Sequence, residues 1–509
     1  MAALSTTDLA VVALCLFVLA IVWRHQSRLR RSRFPPGPPP LPVLGNILDI
    51  PREYSATAYR SLFDKYGDIV YLDAVKQSII VLGTYAAASE LLEKRSAKYA
   101  NRPSLIMVGL IGGDWIIPYS SYTNVWRERR KRFREFFSAN VIKAYEYAQE
   151  AGAQRLIQLF LSAPKDYADN VQFVFGSTVF SSVYGIDVSS PTNEYLVMAD
   201  DVMSIIKEVF TAGRFLVEVF PFLQRIPAWL PGMGFKRKAA TWGGMLQEMR
   251  NKPFDAAANS VQRGESAPCV VETVLDKIST QPPQVQAFEE ALARDVCGNA
   301  YLGAIETVTA TFFTFLYTMA LYPDVQRRAQ AEIDAVVGHS RAPLLSDRPA
   351  LPYIDALLNE CLRWMPTAQL GVPHASVEDD EYNGYIIPKG SIILVNVWAI
   401  ARSKEHYVQP DRFMPERFLT KDGQLSKDIL SPRSYVFGFG RRVCPGMYFG
   451  DASLFITIAS LLHALTIKPA LDEFGRPRIP SVENVKMKEG FLTHPEVPGY
   501  VFEARSHAP

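Results

Sequence analysis

Near the C-terminal end, Phe437-Gly438-Phe439-Gly440-Arg441-Arg442-Val443-Cys444-Pro445-Gly446 sets one cysteine in a loop of glycines and arginines. Glycines at 438, 440 and 446 permit backbone angles that other residues resist, so a tight loop can aim its amides at a sulfur. A thiolate bound to a metal needs such donors. In extended geometry Arg442, two residues before Cys444, sends its side chain to the same side, toward a metal and its anionic substituents. The alternative is a buried structural cysteine, because free cysteine usually behaves as a small hydrophobe. A second group is Gly303-Ala304-Ile305-Glu306-Thr307, in which an acid stands next to a hydroxyl, a pair that could relay protons. The alternative for Thr307 is a back-bond to the preceding helical turn. A third is Glu360-Cys361-Leu362-Arg363, an acid and a base on one helical face, with Arg417 available in Pro415-Glu416-Arg417-Phe418.

The spacing F-x-x-G-x-R-x-C-x-G, taken with these motifs, resembles the cytochrome P-450 superfamily. The resemblance implies a mainly α fold with small β-sheets and haem b between a long central helix and the Cys loop, with Cys444 as the axial ligand of the iron. Phe437, which opens the loop motif, joins the cofactor contacts. Trp126-Arg127-Glu128-Arg129-Arg130 resembles the W-x-x-x-R pattern in which Trp126 and Arg130 reach a haem propionate, while His374 and Arg442 add two further donors; an ordinary loop histidine is the other reading of His374. Glu360, Arg363 and Arg417 form a buried network under the Cys loop, and Glu306 and Thr307 become the proton relay. Ala304 replaces the commoner glycine of the relay motif, and Val308 a frequent second hydroxyl. Leu105, Ile106, Val108, Ala304, Leu370, Val372, Phe491 and Leu492 line the substrate pocket, and their apolar character fits a lipophilic substrate.

The same resemblance supplies the partners. No flavin or dinucleotide module fits in the chain, so NADPH serves indirectly through NADPH-cytochrome P-450 reductase, with cytochrome b5 as a second donor. The remaining Arg127, Arg129, Lys131, Arg132 and Arg134 form a basic face for an acidic donor protein or a merely solvated face. The pattern is similar to fungal tailoring oxygenases of secondary metabolism, and xenobiotic oxidation fits equally. Two other functions stay open: a haem-thiolate isomerase or dehydratase that needs no reductase, and a non-enzymatic haem-binding membrane protein.

The chain's 509 residues with 48% hydrophobic content supply ample core, and a net charge of +2 gives no global field for nucleic acid. The five cysteines, at 15, 269, 297, 361 and 444, lack any C-x-x-C pair, and no N-x-S/T sequon occurs, so a disulfide framework is not expected. Residues 9–23 are continuously apolar and are followed by Arg24, His25, Arg28, Arg30, Arg31 and Arg33. That order reads as a signal-anchor with everything after it cytosolic, whereas a cleaved signal peptide would carry its basic residues first. The expected organisation is therefore a transmembrane helix over 1–23, a basic and proline-rich hinge over 24–45, and a catalytic domain over 46–509, single-pass in the endoplasmic reticulum membrane. The run Pro35-Pro36-Gly37-Pro38-Pro39-Pro40 reads as a stiff spacer or a partner-binding peptide.

Helices are expected over 125–137, 141–161 and 353–364, the last closed by Pro366, and short strands over 69–72, 79–82, 385–387 and 392–395. Residues 296–322 contain one charge, Glu306, and are long enough to span a bilayer, but their asparagine and threonines favour a core helix. Between 210 and 230, Phe210, Phe215, Leu216, Val217, Val219, Phe220, Phe222, Leu223, Trp229 and Leu230 lie among prolines and cations. That pattern suits either a membrane-dipping substrate-access region or ordinary core packing.

Overall fold

Prolines at the first positions and again beyond the last turn bound a helix of 39 residues, Pro283–Leu321, which runs ~58 Å through the molecule. The computed structural model describes residues 33–51, 56–75, 77–211, 213–479, 487–488, 492–496 and 499–506. The expected anchor at 1–23, the arginines up to Arg31 and pocket residue Phe491 lie outside them. In chain order the longer helices are α1 (Asn124–Phe137), α2 (Glu146–Ser162), α3 (Tyr167–Tyr184), α4 (Glu194–Phe210), α5 (Gly234–Gln262), α6 (Val270–Ser279), α7 (Pro283–Leu321), α8 (Pro323–Val336), α9 (Pro352–Trp364) and α10 (Met447–Ala464).

Two of these, α7 and α10, are apolar and long enough to cross a bilayer, yet 78% of the apolar window of each is buried inside the protein. They are core helices. Asn299 shows how α7 affords its polar residues: it donates to Trp115 O and Asp295 O and accepts from Ile117 N–H at 2.7 to 3.0 Å. The threonines Thr314 and Thr318 bond carbonyls of their own helix. Helix α9 was expected to bury one face, but every residue from Tyr353 to Trp364 is buried, which makes it a second internal rod.

Three of the four β-branched segments converge into one sheet, and the fourth, Tyr385–Ile387, pairs with Asp380–Tyr382 in a separate two-stranded sheet. β1 (Ile69–Ala74) and β2 (Gln77–Leu82) form a hairpin with Ile69 opposite Leu82. β3 is His374–Ala375, β4 Asp380–Tyr382, β5 Tyr385–Ile387 and β6 Ile392–Val395. β6 joins β2 in parallel, and β3 closes the edge, placing His374 opposite Ile393. The proline run is no free spacer: Tyr71 N–H donates to Pro36 O, and a Cβ at Gly37 would stand 2.0 Å from Tyr71 O. Only glycine lets the chain lie that close along β1.

Candidate active site

Cys444 follows a tight turn, Gly440–Arg442, that needs its glycines. Gly438 and Gly440 sit at φ 82° and 53°, and a Cβ at Gly440 would meet Leu92 O at 2.2 Å. The loop closes where Cys444 N–H donates to Phe437 O at 2.7 Å, so Phe437 contributes its carbonyl here. Its ring lines a cavity of about 310 Å³ together with Met447, Tyr448, Arg433 and Asp451. Cys269, Cys297 and Cys361 are buried, and Cys444 is the partly exposed cysteine among the described residues. Burial pushes its thiol up, against the pull of the Gly446 N–H and the Arg130 charge. A bound metal would supply the positive charge that a thiolate there lacks.

The turn overrides the extended geometry expected at Arg442. Its donors reach Ala100 O at 2.6 Å, Ile117 O at 3.1 Å and Ser120 O at 2.9 Å, and its guanidinium lies 4.1 Å over the Trp126 ring. Trp126 Nε1–H donates to Ile117 O at 3.0 Å, so that indole is satisfied within the protein. Arg130, one turn along α1, donates to Val443 O, beside the cysteine. Burial pushes the Arg442 guanidinium down to about 8 and that of Arg130 to about 10. Both cations bond backbone carbonyls, which carry only partial charge, so this part of the interior is short of anions.

Arg102 was not anticipated from its lone position before a proline. Buried, it donates to Pro118 O, Val372 O and Pro373 O at 2.7 to 2.8 Å. Burial first, then Arg102 and Arg442, push the His374 imidazole well down, and its Nδ1 pairs with Tyr99 O at 2.9 Å. His374 is thus a neutral ring at the sheet edge, where a third cation was expected. A haem fits this donor set. Two propionates would answer the buried guanidiniums, and a single thiolate suits an iron whose remaining ligands come from a porphyrin. Among the described residues no group of three or more His, Cys, Asp and Glu could chelate a bare ion.

Beneath the loop, Glu360 and Arg363 are fully buried and joined at 2.7 and 2.8 Å. Arg363 spends its remaining donors on Ala401 O, Pro410 O and Arg412 O, while Arg417 Nε approaches Glu360 at 3.2 Å and Met414 N–H donates to the same carboxylate. All three expected members meet. A second network escaped sequence reading. Arg348 and Arg433 each pair with both Asp355 and Asp451 at 2.6 to 2.9 Å, tying α9 to the second turn of α10. Arg433 also bonds Asn359.

Along α7 every residue from 295 to 320 is buried except Gly303, Ala304, Glu306 and Thr307. These share one helical face, and a Cβ at Gly303 would meet nothing within 4 Å, so the face borders open space. Next to it, Gly450 of α10 approaches Val308 closely enough that a Cβ would touch at 3.5 Å, which brings the helix after the Cys loop against the relay motif. Thr307 Oγ1–H donates back to Gly303 O at 2.8 Å. Glu306 is paired with Lys207 of α4, a partner the sequence did not suggest. One turn on, Thr311 Oγ1 bonds Thr367 Oγ1 at 3.1 Å, and Thr493 N–H donates to Thr367 O, which sets Leu492 beside the same stretch.

Among the pocket candidates, Leu105, Ile106 and Val372 are partly buried, and Val108 is buried in the main core. Leu370 departs from expectation: it packs with Val70, Leu72, Val81 and Leu394 in the sheet's own cluster, because residues 370–374 run onto strand β3. The basic face is also smaller than expected. Arg129 pairs with Asp295 at 2.6 Å and Arg132 with Glu289, which leaves Arg127, Lys131 and Arg134 as the exposed stripe of α1.

Comparison with known proteins agrees with this geometry. The sequence profile of the family described as Cytochrome P450 matches residues 35–494. The chain is 36% identical over 475 residues to the cytochrome P450 monooxygenase COX2 of Coprinopsis cinerea, covering 93% of this chain and 90% of that protein. It is 36% identical over 496 residues to the cytochrome P450 monooxygenase eriA of Hericium erinaceus, covering 96% and 92%. With claR of Ampulloclitocybe clavipes the identity is 36% over 475 residues, covering 92% and 86%.

Proposed function

The chain belongs to the cytochrome P450 family, a haem-thiolate oxygenase lineage with fungal relatives, and from that premise we propose that it inserts one oxygen atom from O2 into a lipophilic small molecule with electrons that start on NADPH. The observation that carries this reading is the pairing of a partly exposed Cys444 with a half-buried Arg130 and a buried Arg442, whose bonds end on carbonyls. Cys444 would supply the thiolate, and Arg130 and Arg442 would hold the propionates, with the Trp126 ring stacked against Arg442 and His374 alongside. When bound, a thiolate-ligated haem supplies oxygen activation, and the protein's share is orientation, proton delivery and exclusion of water.

Glu306 and Thr307 perform the proton delivery. With its hydrogen given to Gly303 O, Thr307 presents oxygen lone pairs to the open face and accepts a hydrogen bond there. Glu306 is ion-paired with Lys207, and a proton reaches the site when that pair opens. Electrons come from the separate reductase, or cytochrome b5, docked on Arg127, Lys131 and Arg134. Residues 1–23 anchor the chain in the endoplasmic reticulum membrane with the body cytosolic. Leu216, Val219, Phe220, Phe222 and Trp229 are exposed, which suits a second membrane contact, whereas Phe215 and Val217 pack inward. Fungal secondary metabolism is the setting the relatives suggest.

A reduced carbon monoxide difference spectrum tests the ligation, and NADPH consumption with reductase tests the turnover. A thiolate-type band without NADPH-dependent turnover across a panel of lipophilic substrates would move the assignment to an isomerase or dehydratase.

A further inference from the structure

Residues 214–231 form a flap bracketed by Gly213 and Gly232, both left-handed at φ 74° and 85°, with nothing within 4 Å of a Cβ built on either. Glycine in open space lets the backbone turn at both ends of the flap, whose far half stays tied to α5 where Lys236 donates to Gln224 O and Ile226 O, so that the half carrying Glu218 is the freer one. The flap lies against the short helix Ile106–Leu110, which carries the pocket candidates Ile106 and Val108 and is followed by left-handed Gly112. Among the described residues, the hydrogen bonds that cross from flap to helix both end on one side chain. Glu218 Oε2 accepts from Ile106 N–H and Oε1 from Met107 N–H, each at 2.8 Å. The same turn, Leu216–Val219, buries Val217 and leaves Leu216 and Val219 exposed, so Glu218 is the polar element in an otherwise apolar contact. The amides it takes are the first of a helix and have no helical carbonyl to bond, so the carboxylate is well matched to them.

We propose that Glu218 is a substrate-gating residue. Its paired bonds hold the flap on the pocket helix, and the site admits bulky lipophilic molecules only when they break. This rests on the oxygenase reading above. Gating of this kind discriminates by size: a diatomic gas passes a closed flap, and a large ligand waits for opening.

The test uses the full-length haem protein in stopped flow, with clotrimazole as the bulky iron ligand and carbon monoxide as the small one. Glu218→Ala is expected to raise both association and dissociation rates of clotrimazole about tenfold, the factor that ~1.4 kcal/mol represents. The dissociation constant should stay within about threefold, because a latch acts on the barrier more than on the bound state. Carbon monoxide rates should not move. Glu218→Gln keeps the shape but not the charge, and its clotrimazole rates should fall between wild type and Glu218→Ala. Unchanged clotrimazole rates in both variants, with an intact haem band, overturn the latch and leave the oxygenase reading standing. Carbon monoxide rates that rise in step overturn it too, since the whole fold would then have loosened. A wild-type protein without a haem band overturns both.

Discussion

The region that carries Cys444 and the region that carries Lys207 and Glu218 are held by contacts of different depth. Around the cysteine, ions are bonded many times over: the fully buried Glu360 meets Arg363, Arg417 and the Met414 amide, and four mostly buried charges lock α9 to α10. On the other side, Lys207 is about half exposed where it meets Glu306, and one carboxylate crosses from the flap to the pocket helix. A buried ion keeps its place because leaving it unpaired is expensive, whereas a half-exposed one can exchange its partner for water at little cost. The contrast assigns rigidity to the side that fixes a metal ligand and mobility to the side that must admit a substrate.

The sharpest way to break this contrast is at the ligand. Cys444→Ala should abolish the thiolate-type carbon monoxide band outright, since Cys269, Cys297 and Cys361 are buried in the core; a surviving band would refute the assignment. Next in size, Arg363→Ala strands a fully buried Glu360 and should cost about 3–5 kcal/mol in chemical denaturation, with loss of bound haem.

Asp451→Asn removes one corner of the four-charge network and should cost roughly 2 kcal/mol. Arg433 and Arg348, outweighing burial, hold the Asp451 carboxyl below the usual range. Its contribution is therefore present above the ordinary aspartate value, about 3.9, and lost as pH falls through the lower folded value. Wild type and variant should differ equally at pH 6 and pH 8 and converge only in strong acid. A difference that shrinks between pH 8 and pH 6 would mean that another group sets it.

On the mobile side the effects should fall on turnover and spare stability. Thr307→Ala should change stability by less than about 1 kcal/mol, because the lost bond is a local back-bond, while the share of NADPH electrons released as peroxide rises several-fold. Tight coupling in that variant would leave proton delivery to Glu306 or water alone. The smallest effect belongs to the surface. Lys131→Glu with Arg134→Glu should raise the KM for reductase roughly three- to tenfold at low salt, with the difference fading as ionic strength rises. A salt-independent change would argue against electrostatic docking.

How much of this was legible in the sequence follows the range of each interaction. Helix α9 was placed within one residue because its period and its flanking prolines are local, and Glu360, Arg363 and Arg417 could be grouped because the motif that joins them is distinctive. The strand segments were visible one by one, but the union of three of them in the four-stranded sheet depends on pairing across some 300 residues of chain, as between Leu82 and Val395. The networks that were missed share that property. Arg348, Asp355, Arg433 and Asp451 look like ordinary surface charges until the fold brings them together, and Glu218 reads as one acid in an apolar run. Arg129 and Arg132 erred in the opposite direction, since a charged stretch gives no hint that Asp295 and Glu289 will cover part of it. Leu370 was misplaced because apolar residues that line a pocket and those that pack a sheet look alike in composition.

Because the flap meets the pocket helix through one carboxylate and a short turn that buries Val217 alone, its exposed residues can drift without reopening the ionic lattice around the cysteine. A lineage built this way can acquire new substrates by exchanging residues 214–231 and 105–112, one or two at a time, while every intermediate still folds and still holds its metal. Selection for chemical novelty and selection for a working oxidant then act on different stretches of the gene.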